Sequence, residues 1–193
     1  MSGGKSVGTY AREYLEATRE SLAGDYIERG LEAIVPVFQR ARKEGKSIFF
    51  FGNGGSAATS SHMSQDIGKL TIAPGRPRFR CQSLADPISL ILAWANDSSY
   101  SEIFAEQVKS LGREGDVALG ISGSGNSPNV LRALEEARKA KMTTVGLIGT
   151  GGGKMKALCD IALIVPSSNM QHIEDVHHIV LHLLAAYLRD SPE

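Results

Sequence analysis

Apolar and polar positions follow two different periods along this chain. From about Val7 to Glu44 the residues Ile27, Leu31, Ile34 and Phe38 recur at helical spacing with charges between them. Gly45 is a natural stop, so residues 1–45 read as a helical extension. The pattern then changes to short apolar runs. KSIFFFGNGGSAATSSHMSQDIGK predicts a strand, a Gly/Ser turn and a helix closed by Gly68. DVALGISGSGNSPNVLRALEEARKA repeats that order. Arg78 to Leu84 reads as a strand and Pro87 to Trp94 as a helix. Thr143 to Ile148 is a further strand before GTGGGKM and a short helix. Ile161 to Val165 is the last strand, and SSNMQHIEDVHHIVLHLLAAYL closes as a long helix. Strands alternating with helices predict an α/β fold of three layers, a central parallel sheet flanked by helices. No long linker or tandem repeat interrupts it, so residues 1–193 are expected to form one domain, with 46–193 as the α/β core.

Charge narrows the function. The 21 basic and 21 acidic residues cancel, so the electrostatic footprint of a nucleic-acid binder is absent and no nucleic-acid partner is expected. No apolar run has the length of a signal peptide or a bilayer span, which predicts a cytoplasmic protein with no membrane partner. Cys81 and Cys159 are far apart, with no metal or redox spacing, and read as reduced, partly buried thiols.

Ligands of open parallel sheets bind beyond the carboxyl ends of the strands, where both Gly/Ser turns fall. In GISGSGNSP, Gly120 to Pro128, the hydroxyls of Ser122, Ser124 and Ser127 can donate to an anion. Gly123 and Gly125 let the backbone amides converge. Ser127 is a good N-cap and Pro128 suits the first helical position, so the start of a helix faces the same ligand. The loop holds no Lys or Arg, which predicts neutral donors. A well-capped turn that binds nothing has the same local sequence, but a second turn carrying Asn53, Gly54, Gly55 and Ser56 shifts the balance towards a ligand. Neither turn matches a nucleotide-binding motif.

The five histidines fall on two helices, His62 on the first and His172, His177, His178 and His182 on the last. His62 and Asp66 are one turn apart. Glu174, His178 and His182 lie within a sector of roughly 80°, opposite Ile173, Val176, Ile179, Val180, Leu183 and Leu184. Such a polar face is either solvated surface or the lining of a cleft that binds metal or moves protons.

FGNGGSAATSSH, WANDSSYSEIFAEQV, GREGDVALGISGSGNSPNVLRALEEARK and IVPSSNMQHIEDVHHIVLH, in this order and spacing, resemble the SIS (sugar isomerase) family. Within it they are most similar to the bacterial sedoheptulose-7-phosphate, or phosphoheptose, isomerases. The resemblance covers nearly the whole chain and implies the SIS fold. It also implies an aldose–ketose isomerase converting sedoheptulose 7-phosphate to D-glycero-D-manno-heptose 7-phosphate through an enediolate. By position, Asn53, Gly54, Gly55, Asn96 and Asp97 would contact the sugar, and Ser122, Gly123, Ser124 and Ser127 the phosphate. Asp66 would be the base on carbon and His182 the partner that moves protons to and from oxygen. Zinc would lie on His62, Asp66, Glu174 and His182, with Asp66 and Glu174 also facing substrate. Asp66 stands where the family usually carries Glu, and Glu174 where it usually carries Gln. His178 matches a commonly apolar position and receives no role. The family also implies a homotetramer with sites at subunit boundaries; the N-terminal helices could form that interface or cover their own sheet. Two alternatives share the fold: a non-catalytic SIS module binding a protein, like the DnaA initiator-associating protein, and an isomerase for another sugar phosphate.

Overall fold

The computed structural model describes residues 5–191. Five strands form one sheet: β1 (Ser47–Gly52), β2 (Arg80–Ser83), β3 (Val117–Ser122), β4 (Thr143–Ile148) and β5 (Ile161–Ile164). Their order is β2-β1-β3-β4-β5, and every pairing is parallel. Seven α-helices accompany them: α1 (Val7–Ser21), α2 (Tyr26–Lys43), α3 (Gly55–Leu70), α4 (Ile88–Asp97), α5 (Ala105–Leu111), α6 (Pro128–Lys139) and α7 (Met170–Asp190). This is the expected three-layer architecture.

The continuous apolar runs follow from burial on both faces of a parallel sheet. Side chains alternate across a strand, so Ile48 and Phe50 of β1 meet α2, α3 and α7, while Phe49 and Phe51 join the core under α5 and α6. β2 is short and at an edge, and its exposed Arg80 and Gln82 discourage further strand pairing. Gly45 ends α2 as expected, with φ +65°. The Lys46 amide bonds to the Ala41 carbonyl and the Gly45 amide to that of Arg42, a Schellman closure.

Gly68 does not close its helix. α3 runs on to Leu70, where the Thr71 hydroxyl donates to the Ile67 carbonyl at 2.6 Å and satisfies the terminus instead. The two N-terminal helices divide the roles left open for them. α2 covers the sheet with Ile27, Ile34, Phe38 and Ala41, and at Gly30 its backbone lies directly on Leu163 of β5. A Cβ there would stand 2.5 Å from Leu163 Cδ1. α1 buries only Ser21 and leaves Val7, Tyr10 and Leu15 exposed. It is fastened to α7 by polar contacts: the Tyr14 hydroxyl donates to Asp175 at 2.6 Å, and Thr18 Oγ1 pairs with His172 Nδ1 at 2.8 Å. That bond to a carboxylate raises the Tyr14 pKa to about 12. On α7 the inward face also differs from expectation. Leu183 is exposed and Ile179 only half-buried, whereas His172 and His177 are buried.

Candidate active site and metal centre

The serine loop follows β3 and stands at the carboxyl edge of the sheet. Ser122 Oγ lies 3.2 Å from Ser127 Oγ and 3.5 Å from Ser124 Oγ, so the three expected hydroxyls do converge. Ser127 occupies the N-cap position, but its hydroxyl faces Ser122 and makes no cap bond, while Pro128 takes the first helical position. The turn is held from behind by a second glycine loop. Gly125, at φ +63°, leaves no room for a side chain against the Gly152 carbonyl, and its own carbonyl accepts from the Met155 amide at 2.9 Å. Asn126 Oδ1 accepts from the Lys154 amide at 3.1 Å, which brings a lysine beside a loop that has none of its own. Gly123 has Met170 of α7 packed where a Cβ would be.

At the first turn, Gly54 takes φ 54° and ψ −121°, a conformation open only to glycine. Asn53 pairs amide to amide with Asn129: its Nδ2 donates at 2.8 Å, and its Oδ1 accepts at 2.7 Å. Tyr100 donates to that same Oδ1 at 3.1 Å. The segment carrying Tyr100 is tied to α6 by the Arg132 guanidinium on Glu102, 3.0 Å at the closer contact. Glu102 and then Glu135 hold the Arg132 pKa above its ordinary value. Asn129 and Tyr100 were not singled out in the sequence. Asn129 is legible only as the polar residue after Pro128, and its partner is 76 residues away. Asn96 and Asp97 are exposed at the end of α4, the Asn96 Nδ2 donating to Asp97 Oδ1 at 2.8 Å.

The histidine face lines a cleft between helices. α3 and α7 lie side by side in steps of one turn, so that Gly55 meets Glu174, Thr59 meets His178 and His62 meets His182. This register brings three of the four expected donors together. His62, Asp66 and His182 converge, with one donor atom from each all within 4.8 Å of one another, but Glu174 is not among them. Its carboxylate lies over Gly55, where an added Cβ would be 2.6 Å from Oε2. There it faces the positive end of α3, beside the Asn53–Gly55 turn. His62 Nε2 stands 3.4 Å from Asp66 Oδ2, and Asp66 is buried. Two imidazoles and a carboxylate suit zinc better than magnesium or calcium, so the donors fit the expected metal. His178, left without a role by the sequence, packs its ring 5.6 Å from His62 and 6.0 Å from His182, centroid to centroid. Burial, and then the neighbouring imidazoles, lower its pKa.

The trio is not next to the serine loop within one chain. His62 is seven residues along α3 from Gly55, and His182 twelve along α7 from Met170, or about 10 and 18 Å of helix rise. Elsewhere, burial pushes the thiols of Cys81 and Cys159 up to about 12, which leaves them protonated and unreactive. No helix among the described residues is long and apolar enough to cross a membrane.

The family profile described as SIS domain matches residues 9–149. The chain is 41% identical over 170 residues to a phosphoheptose isomerase of Helicobacter pylori, covering 88% of this chain and 86% of that protein. It is 38% identical over 178 residues to one of Paramagnetospirillum magneticum, covering 91% and 92%. Among solved structures, the phosphoheptose isomerase of Neisseria gonorrhoeae superposes with a TM-score of 0.87 at 25% identity, covering 96% of this chain and all of that one.

Proposed function

The chain belongs to the SIS domain family, among its phosphoheptose isomerases, and from that premise we propose how its residues isomerise sedoheptulose 7-phosphate. What carries the reading is similarity to these enzymes over nearly the whole chain, together with a serine loop and a histidine–carboxylate cleft on one fold. The phosphate is held by Ser122, Ser124 and Ser127 and by the amides at the start of α6. Asn53, fixed by Asn129 and Tyr100, presents the Gly54–Gly55 turn to the sugar, and Glu174 faces the same turn. Asp66 takes the proton beside the carbonyl, and His182 carries protons to and from oxygen, so that an enediolate forms and collapses on the neighbouring carbon. Asp is one methylene shorter than the family's usual Glu, so the sugar must come closer to α3 than with the longer residue.

His62, Asp66 and His182 would hold a zinc ion, which supplies charge to polarise the carbonyl or order the site. The assembly is a homotetramer. Two features support it: the distance between the serine loop and the trio in one chain, and the apolar residues exposed on α1, α4 and α7. A second copy can bring one chain's trio to another's serine loop.

The test is to incubate the purified protein with sedoheptulose 7-phosphate and a panel of other ketose and aldose phosphates, following exchange of the C1/C2 protons. Asp66→Asn is expected to abolish turnover with fold and phosphate binding intact, and Asp66→Glu to retain it. Substantial kcat in Asp66→Asn would remove Asp66 as the base, and no turnover of any sugar phosphate would remove the reading.

A further inference from the structure

The trio offers a metal three protein donors, and the fourth residue expected there, Glu174, has its carboxylate lying over Gly55. A different side chain packs beside the trio, its nitrogens outside the 4.8 Å that spans the three donors. His178 lies between Glu174 and His182 on α7, and its ring faces both other imidazoles, 58° from the plane of His62 and 72° from that of His182.

Its tautomer follows from its one hydrogen-bond partner. His178 Nδ1 is 3.1 Å from Thr59 Oγ1, and that hydroxyl is also 3.1 Å from the Gly55 carbonyl oxygen, to which it donates. A hydroxyl has one proton to give. With that proton on the Gly55 carbonyl, Thr59 can only accept from His178, so Nδ1 carries the hydrogen. Nε2 is left as a bare lone pair. An imidazole whose Nδ1–H is anchored while Nε2 is free is the usual arrangement of a metal-ligating histidine.

Ring spacing agrees. Imidazoles around one tetrahedral zinc have centroids about 5 Å apart, because each nitrogen is ~2 Å from the ion and each ring extends beyond it. The three separations here are 5.1, 5.6 and 6.0 Å, with His178 in the two longer ones. His178 would therefore have to move inward, pivoting on its bond to Thr59, for Nε2 to join the other three donors.

We propose that His178, through Nε2, is the fourth protein ligand of a transition metal at this centre, giving a site of three imidazoles and one carboxylate without Glu174. The inference rests on the reading that His62, Asp66 and His182 hold a metal. Its consequence is that Glu174 stays free to face the sugar, and that the metal is tied to Thr59 and, through it, to the turn at Gly55.

The experiment loads the full-length protein with zinc and with cobalt(II), and measures stoichiometry, affinity by chelator competition, and the proton spectrum of the cobalt form. Hyperfine-shifted signals from three imidazole rings are expected in the unmodified protein, and from two in His178→Gln. Zinc affinity is expected to fall at least tenfold in His178→Gln and to change less than twofold in Glu174→Gln. Thr59→Val, which removes the anchor, is expected to weaken zinc severalfold, and Thr59→Ser to restore it. Two ring sets in the unmodified protein, or a larger loss from Glu174→Gln than from His178→Gln, would overturn the role of His178 while leaving the metal centre standing. No bound metal in the unmodified protein would overturn both, and C1/C2 exchange by that same metal-free protein would show the isomerase reading to be independent of them.

Discussion

The three serines are not equivalent. Ser122 is buried, accepts from the Gly125 amide at 3.2 Å and so shapes the turn. Ser124 is exposed and accepts from Asn126, which leaves its own proton for a ligand. Ser124→Ala should raise KM about tenfold, the loss of one charge-assisted hydrogen bond worth ~1.5 kcal/mol, with Tm unchanged. Ser122→Ala should raise KM and lower Tm together; steady-state kinetics beside thermal melts separate the two. A second residue-scale effect comes from His177, whose pKa burial lowers to about 4, with the His178 charge adding and the Ile148 carbonyl opposing. The unfolded chain titrates near 6.5 and takes up this proton first as pH falls. The stability that His177 contributes is therefore complete above about pH 6.5 and is lost as pH falls from there to about 4, on the order of 3 kcal/mol. His177→Leu should flatten that part of the profile in denaturant titrations at pH 7.5, 6 and 4.5; an unchanged slope would place the acid sensitivity elsewhere. The serines were legible because a turn gathers neighbours in sequence. Asn129, Thr59 and the packing of Glu174 over Gly55 were not, because helical spacing tells which side chains share a face but not what the adjacent helix sets opposite them.

Elements were legible wherever burial imposes a period. SIFFFG and VALGIS are strands because both faces of the sheet are covered, and the strands read at Thr143 to Ile148 and Ile161 to Val165 end within a residue of those observed. Misreadings arose where a local signal met a tertiary one. Gly68 looked like a stop, but nothing at that position demands a positive φ, and Thr71 supplies the terminus. The helix read at Pro87 to Trp94 is there as α4, mostly apolar, yet it has no buried residue and exposes Ile88, Leu90 and Leu92. The contact of α2 with β5 gives a test at this scale. Alanine is the better helix former by about 1 kcal/mol, yet Gly30→Ala should destabilise by about 1–2 kcal/mol, because its methyl would overlap Leu163. Combining it with Leu163→Ala should cost less than the sum of the two single changes, a non-additivity that chemical denaturation can resolve.

At the scale of the whole molecule, surplus apolar surface is the leading feature. Leu15 on α1 is 67% exposed and Leu92 on α4 62%. Leu31, Val35 and Pro36 of α2 form an open groove of about 540 Å³ with Leu183 and Tyr187 of α7. Exposed patches of this kind mark association sites. If the proposed homotetramer uses this surface, Leu92→Glu should lower the mass seen in light scattering and abolish turnover while leaving the circular dichroism of each chain intact; an unchanged mass with undiminished activity would move the interface elsewhere. The topology has a further consequence, for synthesis. α2 finds its apolar floor on β5, and α1 fastens to α7 through a contact 161 residues apart in sequence, so both helices are covered by elements made much later. β1 likewise waits for residues 117–122 before its longer pairing exists. Contacts this distant in sequence close slowly. A nascent chain therefore leaves the ribosome with the stripe of Ile27, Ile34 and Phe38 bare until translation has passed β5, and in that interval it depends on chaperones more than a protein whose neighbours in sequence are neighbours in space.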